Sequence, residues 1–192
     1  KAQAENLVET CRVAGLKLKR VEIEPLALHT LYHQQLSGEK VKGVLNIGAT
    51  RSYLAIFQKD ILVFVRSMGF GCTALYQYMR ESGTGNMELE NLNCQDAGCE
   101  TLMRDIVSEI SRSLEYFRLQ SKDEKLSEII LCGGGARVGG IEEYLSQEIG
   151  VPVRVGDFTS YIQLPDSIAA QDRSDLIYEY PVALGLAMRG VK

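Results

Sequence analysis

Residues 127–155 constrain the fold more tightly than any other part of the chain. SEIILC (127–132) is an apolar, β-branched run and GGGARVGG (133–140) a glycine loop; IEEYLSQEI (141–149) is an amphipathic helix stopped by Gly150, and VPVRV (151–155) a second short strand. Two strands joined through a helix must cross over the sheet and run parallel, so the molecule contains an α/β layer. Residues 41–66 are the most organised stretch of the chain. KGVLNIG, RSYLAIFQ and ILVFVRS are three β-rich runs separated by GAT and by KD. The second connection has hairpin length, which predicts an antiparallel meander.

Helical periodicity is clearest where Met103, Ile106, Ile110, Leu114 and Phe117 form one apolar stripe, predicting a long helix over 100–120. Shorter helices are expected over 2–14, closed by Gly15, over 26–35, over 72–81, and over 181–190 with Pro181 at its start. VEIE (21–24) alternates like a strand, MGFG (68–71) and SGTG (82–85) read as breaks, and 86–100 has no clear period.

The 192 residues suit two lobes in one body, and a net charge of −4 provides no global positive field for nucleic acid or an anionic membrane. Apolar runs such as ILVFV (61–65) are far shorter than the roughly 20 residues of a membrane span. Five scattered cysteines fit reduced thiols in a cytosolic setting. The chain enters directly on a helical pattern at Lys1, the expectation for a piece of a longer protein.

Three features can carry chemistry. NIGATRS (46–52) offers backbone N–H groups and the hydroxyls of Thr50 and Ser52 to an anion, or is simply a tight hairpin with polar residues. The loop 133–140 lacks the last glycine of a dinucleotide fingerprint and the Lys-Ser/Thr of a Walker loop. What remains is a flat glycine surface for a base or ribose, or a crossover turn that needs close packing. On the long helix, Asp105, Glu109, Arg112, Ser113 and Tyr116 are read as one face opposite the apolar stripe. There Glu109 can accept from ribose hydroxyls and Arg112 can stack on a base, or the face is merely solvated. His29 and His33 read as solvated helix histidines, Cys94 and Cys99 do not match a zinc knuckle, and no nucleophile–histidine grouping emerges.

Taken in order, VLNIGATRSYLAIF (44–57), SEISRSLEYF (108–117), IILCGGGARVGG (129–140) and VALGLAMRG (182–190) resemble the actin-like ATPase superfamily. Within it they are most similar to the PilM family of type IV pilus assembly, as is AGLKLKRVEIEPLAL (14–28). The resemblance implies an α/β fold: an actin-like (ribonuclease H-like) lobe with a mixed sheet flanked by helices over 41–192. Residues 1–40 would be a remnant of the first lobe, with 181–190 packing back on it.

The resemblance also implies ATP with magnesium as the cofactor of the intact protein. Asn46, Gly48, Thr50 and Ser52 would meet phosphates; Gly133, Gly134 and Gly135 would bound adenine and ribose; Glu109, Arg112 and Ser113 would line the nucleoside pocket. Asn46 stands where the family usually carries an Asp that helps hold hydrated magnesium, and no Asp-x-Gly strand of a first phosphate hairpin precedes residue 41. Hydrolysis by this portion alone is therefore not expected.

The implied role is a cytoplasmic assembly scaffold, peripheral to the inner membrane through partners, that binds a PilN-like cytoplasmic tail and other pilus components but no nucleic acid. The alternatives are an FtsA-like or GspL-like scaffold, a small-molecule kinase of the same superfamily, or a degenerate platform that binds no nucleotide.

Overall fold

The computed structural model describes residues 2–81, 88–94, 99–121 and 124–189. Five strands, β1 (Val41–Ile47), β2 (Ser52–Gln58), β3 (Ile61–Met68), β4 (Leu126–Cys132) and β5 (Val153–Val155), form one mixed sheet in the order β3-β2-β1-β4-β5. β1, β2 and β3 are an antiparallel meander, with Leu45 opposite Leu54 and Leu54 opposite Arg66. β4 runs parallel to both β1 and β5, with Leu131 opposite Leu45 and Val155. The Lys59–Asp60 turn has φ of 49° and 64° at its two residues, the left-handed pair that lets a two-residue hairpin follow the twist of its strands.

Helices cover both faces. On one side lie α4 (Cys72–Glu81), α5 (Glu100–Gln120) and α6 (Ile141–Ile149), where the α5 stripe from Met103 to Phe117 packs with Leu45, Ile47, Leu54, Ile56 and Phe64. The other side carries α2 (Glu24–Leu31), α3 (His33–Leu36), α7 (Ala170–Tyr178) and α8 (Pro181–Met188). Here Leu28, Leu31, Tyr32 and Leu36 are buried with Val44, Ala55, Phe57, Ile130 and Phe158. Cover on both faces explains why β1 and β4 read as near-continuous apolar runs rather than alternating ones. α1 (Ala2–Val13) leaves Leu7, Val8 and Val13 exposed.

Three expectations need correction, and one helix was not expected. VEIE is not a strand: Val21 and Ile23 are about half exposed, and alternation without a neighbouring strand cannot form a ladder. Glu24 already belongs to α2, whose first turn holds Pro25. The helix over 26–35 is divided at Tyr32, whose φ of −97° and ψ of 20° leave helical geometry. α7 was not anticipated, because none of its described residues is buried and it therefore carries no sharp apolar stripe. Within 86–100 the described residues include a 3-10 turn at Leu89–Asn91 and a bridge from Asn93 to Gly139. The break at 82–85 and Gly190, where the last helix was expected to end, lie outside the described residues.

Candidate functional site

A cleft of about 300 Å³ opens where β1 and β4 end, at the carboxyl ends of two adjacent parallel strands. Asn46, Gly48 and Ala49 contribute from β1 and its turn, Cys72 and Tyr76 from α4, and Leu89 from the 3-10 turn. Gly133, Gly134 and Arg137 contribute from the glycine loop, and Tyr178, Glu179, Pro181 and Val182 from the α7–α8 junction.

The first turn is braced by α4. The amides of Cys72 and Thr73 donate to the carbonyls of Gly48 and Ala49 at 2.9 Å each, and the Thr73 hydroxyl also donates to Ala49 at 2.8 Å. The turn thus caps donors that the first turn of a helix leaves open.

The glycine loop is pressed against β1. Gly133 has φ of +87°, and a Cβ there would stand 2.3 Å from Asn46 Oδ1 and 2.5 Å from the Ile47 carbonyl. Close backbone packing is therefore one reason for glycine here, whatever the loop binds. Gly134–Arg137 continues as a 3-10 turn.

Of the residues singled out in the sequence, Asn46, Gly48, Gly133 and Gly134 meet in this cleft. Thr50 is exposed on the turn and is not part of the wall, and Gly135 is buried against Ile47. Ser52 turns inward: its buried hydroxyl donates to the Phe70 carbonyl at 2.9 Å and ties β2 to the approach to α4, so it does not line the cleft.

The helical-face reading fails at Ser113. It lies seven residues beyond Ile106 and so returns to the same buried side, where its hydroxyl donates to the Glu109 carbonyl at 2.7 Å. Glu109 and Arg112 pair with each other at 2.6 Å on the outer surface of α5 and do not line the cleft. His29 is not solvated: its side chain is 12% exposed, stacks on Phe57 at 4.7 Å and meets Asp60 at 3.3 Å.

The residues missed by sequence reasoning are Cys72, Tyr76, Leu89, Arg137, Tyr178, Glu179, Pro181 and Val182. The only local signal among them was Arg137, a large cation inside a glycine loop. Its guanidinium donates to Glu90 at 2.8 Å and Asp175 at 2.6 Å, approaches Glu179 at 3.6 Å, and lies 5.0 Å from the centre of the Tyr178 ring. Burial pushes the Cys72 thiol up to about 11, so it stays protonated near neutrality and is a poor nucleophile. Among the described residues no group of three or more His, Cys, Asp or Glu side chains could hold a metal ion directly.

A family model described as type IV pilus assembly protein PilM matches residues 1–191. Among solved structures, the PilM–PilN type IV pilus biogenesis complex superposes with a TM-score of 0.83 at 24% identity, over 98% of this chain and 58% of that one. The ethanolamine utilization protein EutJ of Carboxydothermus hydrogenoformans gives 0.61 at 18% identity, over 96% of this chain and 61% of its own. MreB 5 of Spiroplasma citri bound to AMPPNP gives 0.69 at 14% identity, over 98% and 64%. The chain thus spans about three fifths of the length of these structures. They share its fold: an actin-like lobe with a mixed sheet flanked by helices.

Proposed function

The chain belongs to the PilM family of type IV pilus assembly proteins, and from that premise we propose that it supplies the second lobe of a nucleotide-responsive actin-like scaffold. The observation that carries this reading is a convergence. Two glycine turns remote in sequence, at Gly48–Ala49 and Gly133–Gly134, line one cleft at the carboxyl ends of β1 and β4. Backbone approached this closely can present N–H groups to phosphate oxygens and a flat surface to ribose. A MreB 5 relative of the same fold has been solved with AMPPNP, which supports a nucleotide as the occupant.

The cleft's residues fit ATP in part. Its volume lies at the lower end of the range for small-molecule sites, about 300–1,000 Å³, so this lobe holds one side of the nucleotide and the first lobe completes the rest. Magnesium would ride on the phosphates, with the Asn46 amide in place of a carboxylate, and would neutralise phosphate charge. Phosphoryl transfer needs complete positioning, so this portion binds rather than hydrolyses.

Residues 1–40 then derive from the first lobe, and α8 lies across α2 at the junction. A nucleotide that prefers the closed arrangement of the two lobes shifts the population toward it and so alters the surface offered to partners. The partner proposed is a PilN-like cytoplasmic tail, consistent with the PilM–PilN complex as a structural neighbour. No helix of the described residues is long and apolar enough to cross a membrane. The proposed location is the cytoplasm, at the inner membrane through that partner.

Calorimetric titration of the intact protein with magnesium-ATP, with and without the PilN tail peptide, tests the reading. Saturable ATP binding that changes peptide affinity supports it; absence of ATP binding by folded protein leaves a platform without nucleotide control.

A further inference from the structure

We infer that Arg137 is the latch of a movable cleft wall, formed by α7 and its junction with α8, which gates entry to and exit from the cleft. The identity of the occupant rests on the nucleotide reading above; the latch does not.

One side chain joins three segments that surround the cleft. Arg137 ends the 3-10 turn of the glycine loop, its Nη1 donates to Glu90 beside Leu89, and its Nη2 donates to Asp175 and approaches Glu179. Tyr178 adds its ring beneath the guanidinium. The Arg137 side chain is 12% exposed while Glu90 and Glu179 are about half exposed, so the pair with Asp175, 33% exposed, is the least screened of the three.

The wall depends on this cluster because its apolar anchorage is thin. None of the described residues of α7 is buried, and Leu176, Ile177 and Tyr178 are only partly buried against the two cores. Helices held by few buried apolar contacts are the ones that open locally. The latched state also carries an internal cost: Arg137 Nε is buried without an acceptor, so this arrangement leaves one donor unsatisfied.

Movement of this wall changes the cleft directly, since Tyr178, Glu179, Pro181 and Val182 line it. It is also carried onward. Pro181 begins α8, which packs along α2 and is followed by Arg189, bound to Glu22 and to Thr30. Unlatching therefore links the cleft to the segment that precedes α2.

The test uses the intact protein in three forms: wild type, Arg137→Gln, and an Asp175→Asn/Glu179→Gln double variant that leaves the glycine loop untouched. Hydrogen exchange without ligand is expected to quicken by about tenfold or more over residues 173–179 in both variants, with β1 and β4 unchanged. Stopped-flow mixing with a fluorescent ATP analogue and magnesium is expected to show association and dissociation both faster by about threefold or more. Unchanged exchange over 173–179 in folded variants overturns the latch. Faster exchange with unchanged nucleotide rates overturns the gating. If wild type binds no nucleotide, the nucleotide reading falls, and the exchange comparison alone still decides whether Arg137 holds the wall.

Discussion

Gly185 of α8 rests directly on the backbone of Ala27 in α2: a Cβ at position 185 would stand 2.0 Å from the Ala27 carbonyl oxygen. At this contact the chain's last described helix crosses its second, and Arg189 extends the contact by donating to the Thr30 hydroxyl at 2.7 Å and the Leu26 carbonyl at 3.3 Å.

Gly185→Ala must part these helices. Alanine gains helix propensity of up to about 1 kcal/mol, but overpacking against backbone costs about 1–3 kcal/mol. Backbone cannot rotate aside as a side chain can, so the loss is expected to prevail. Urea unfolding of the variant should show a lower midpoint at an unchanged slope; an equal or higher midpoint would mean that the helices separate freely.

Gly133→Ala combines two penalties, a left-handed φ and the collision with Asn46 and Ile47. Together they predict a loss of about 2–4 kcal/mol, together with weakened ATP binding, because the displaced loop forms part of the cleft. Thermal unfolding and titration of the same sample separate these effects: stability lost with ATP affinity intact would place the occupant away from this loop.

The fold was most legible where local periodicity and two-sided burial coincide. Strands β1 to β4, the Lys59–Asp60 hairpin and α5 announce themselves through alternation, turn length and an apolar stripe. VEIE misled because alternation states a preference, while a strand needs a neighbour. α7 was silent because its attachment runs through Asp175 and Glu179 to a residue about forty positions earlier, a relation that no local window contains. The site divides in the same way. Asn46, Gly48, Gly133 and Gly134 were found because glycine turns are local signals, whereas the wall from Tyr178 to Val182 comes from tertiary folding alone.

His29 makes stability depend on pH. Burial is the larger influence and lowers its pKa from the ordinary 6.5; Asp60 pulls upward, while His33 and Arg189 reinforce the decrease. A base whose folded pKa is depressed binds protons more readily when unfolded, so its contribution is complete above 6.5 and is lost as pH falls below that value. Unfolding midpoints measured from about pH 8 to 5 should therefore fall less steeply in His29→Gln than in wild type, and more steeply in Asp60→Asn, which removes the opposing charge. Parallel profiles for all three would exclude His29 as a contributor.

The Arg112→Ala and Asn46→Asp variants distinguish the two places where a nucleotide could lie. Arg112 is largely exposed and pairs with Glu109 outside the cleft, so Arg112→Ala is expected to leave ATP affinity within about twofold of wild type. Asn46, 7% exposed, lines the cleft beside Gly133. Replacing its amide with a carboxylate adds the hard anionic oxygen that hydrated magnesium prefers, at the cost of a nearly buried charge when the metal is absent. Asn46→Asp should therefore bind ATP more weakly than wild type in chelator and regain at least about tenfold when magnesium is added, a larger gain than wild type shows. Calorimetry under both conditions reads the difference. A tenfold loss in Arg112→Ala with no added magnesium response in Asn46→Asp would move the nucleoside pocket to the outer face of α5 and leave the glycine cleft without its proposed occupant.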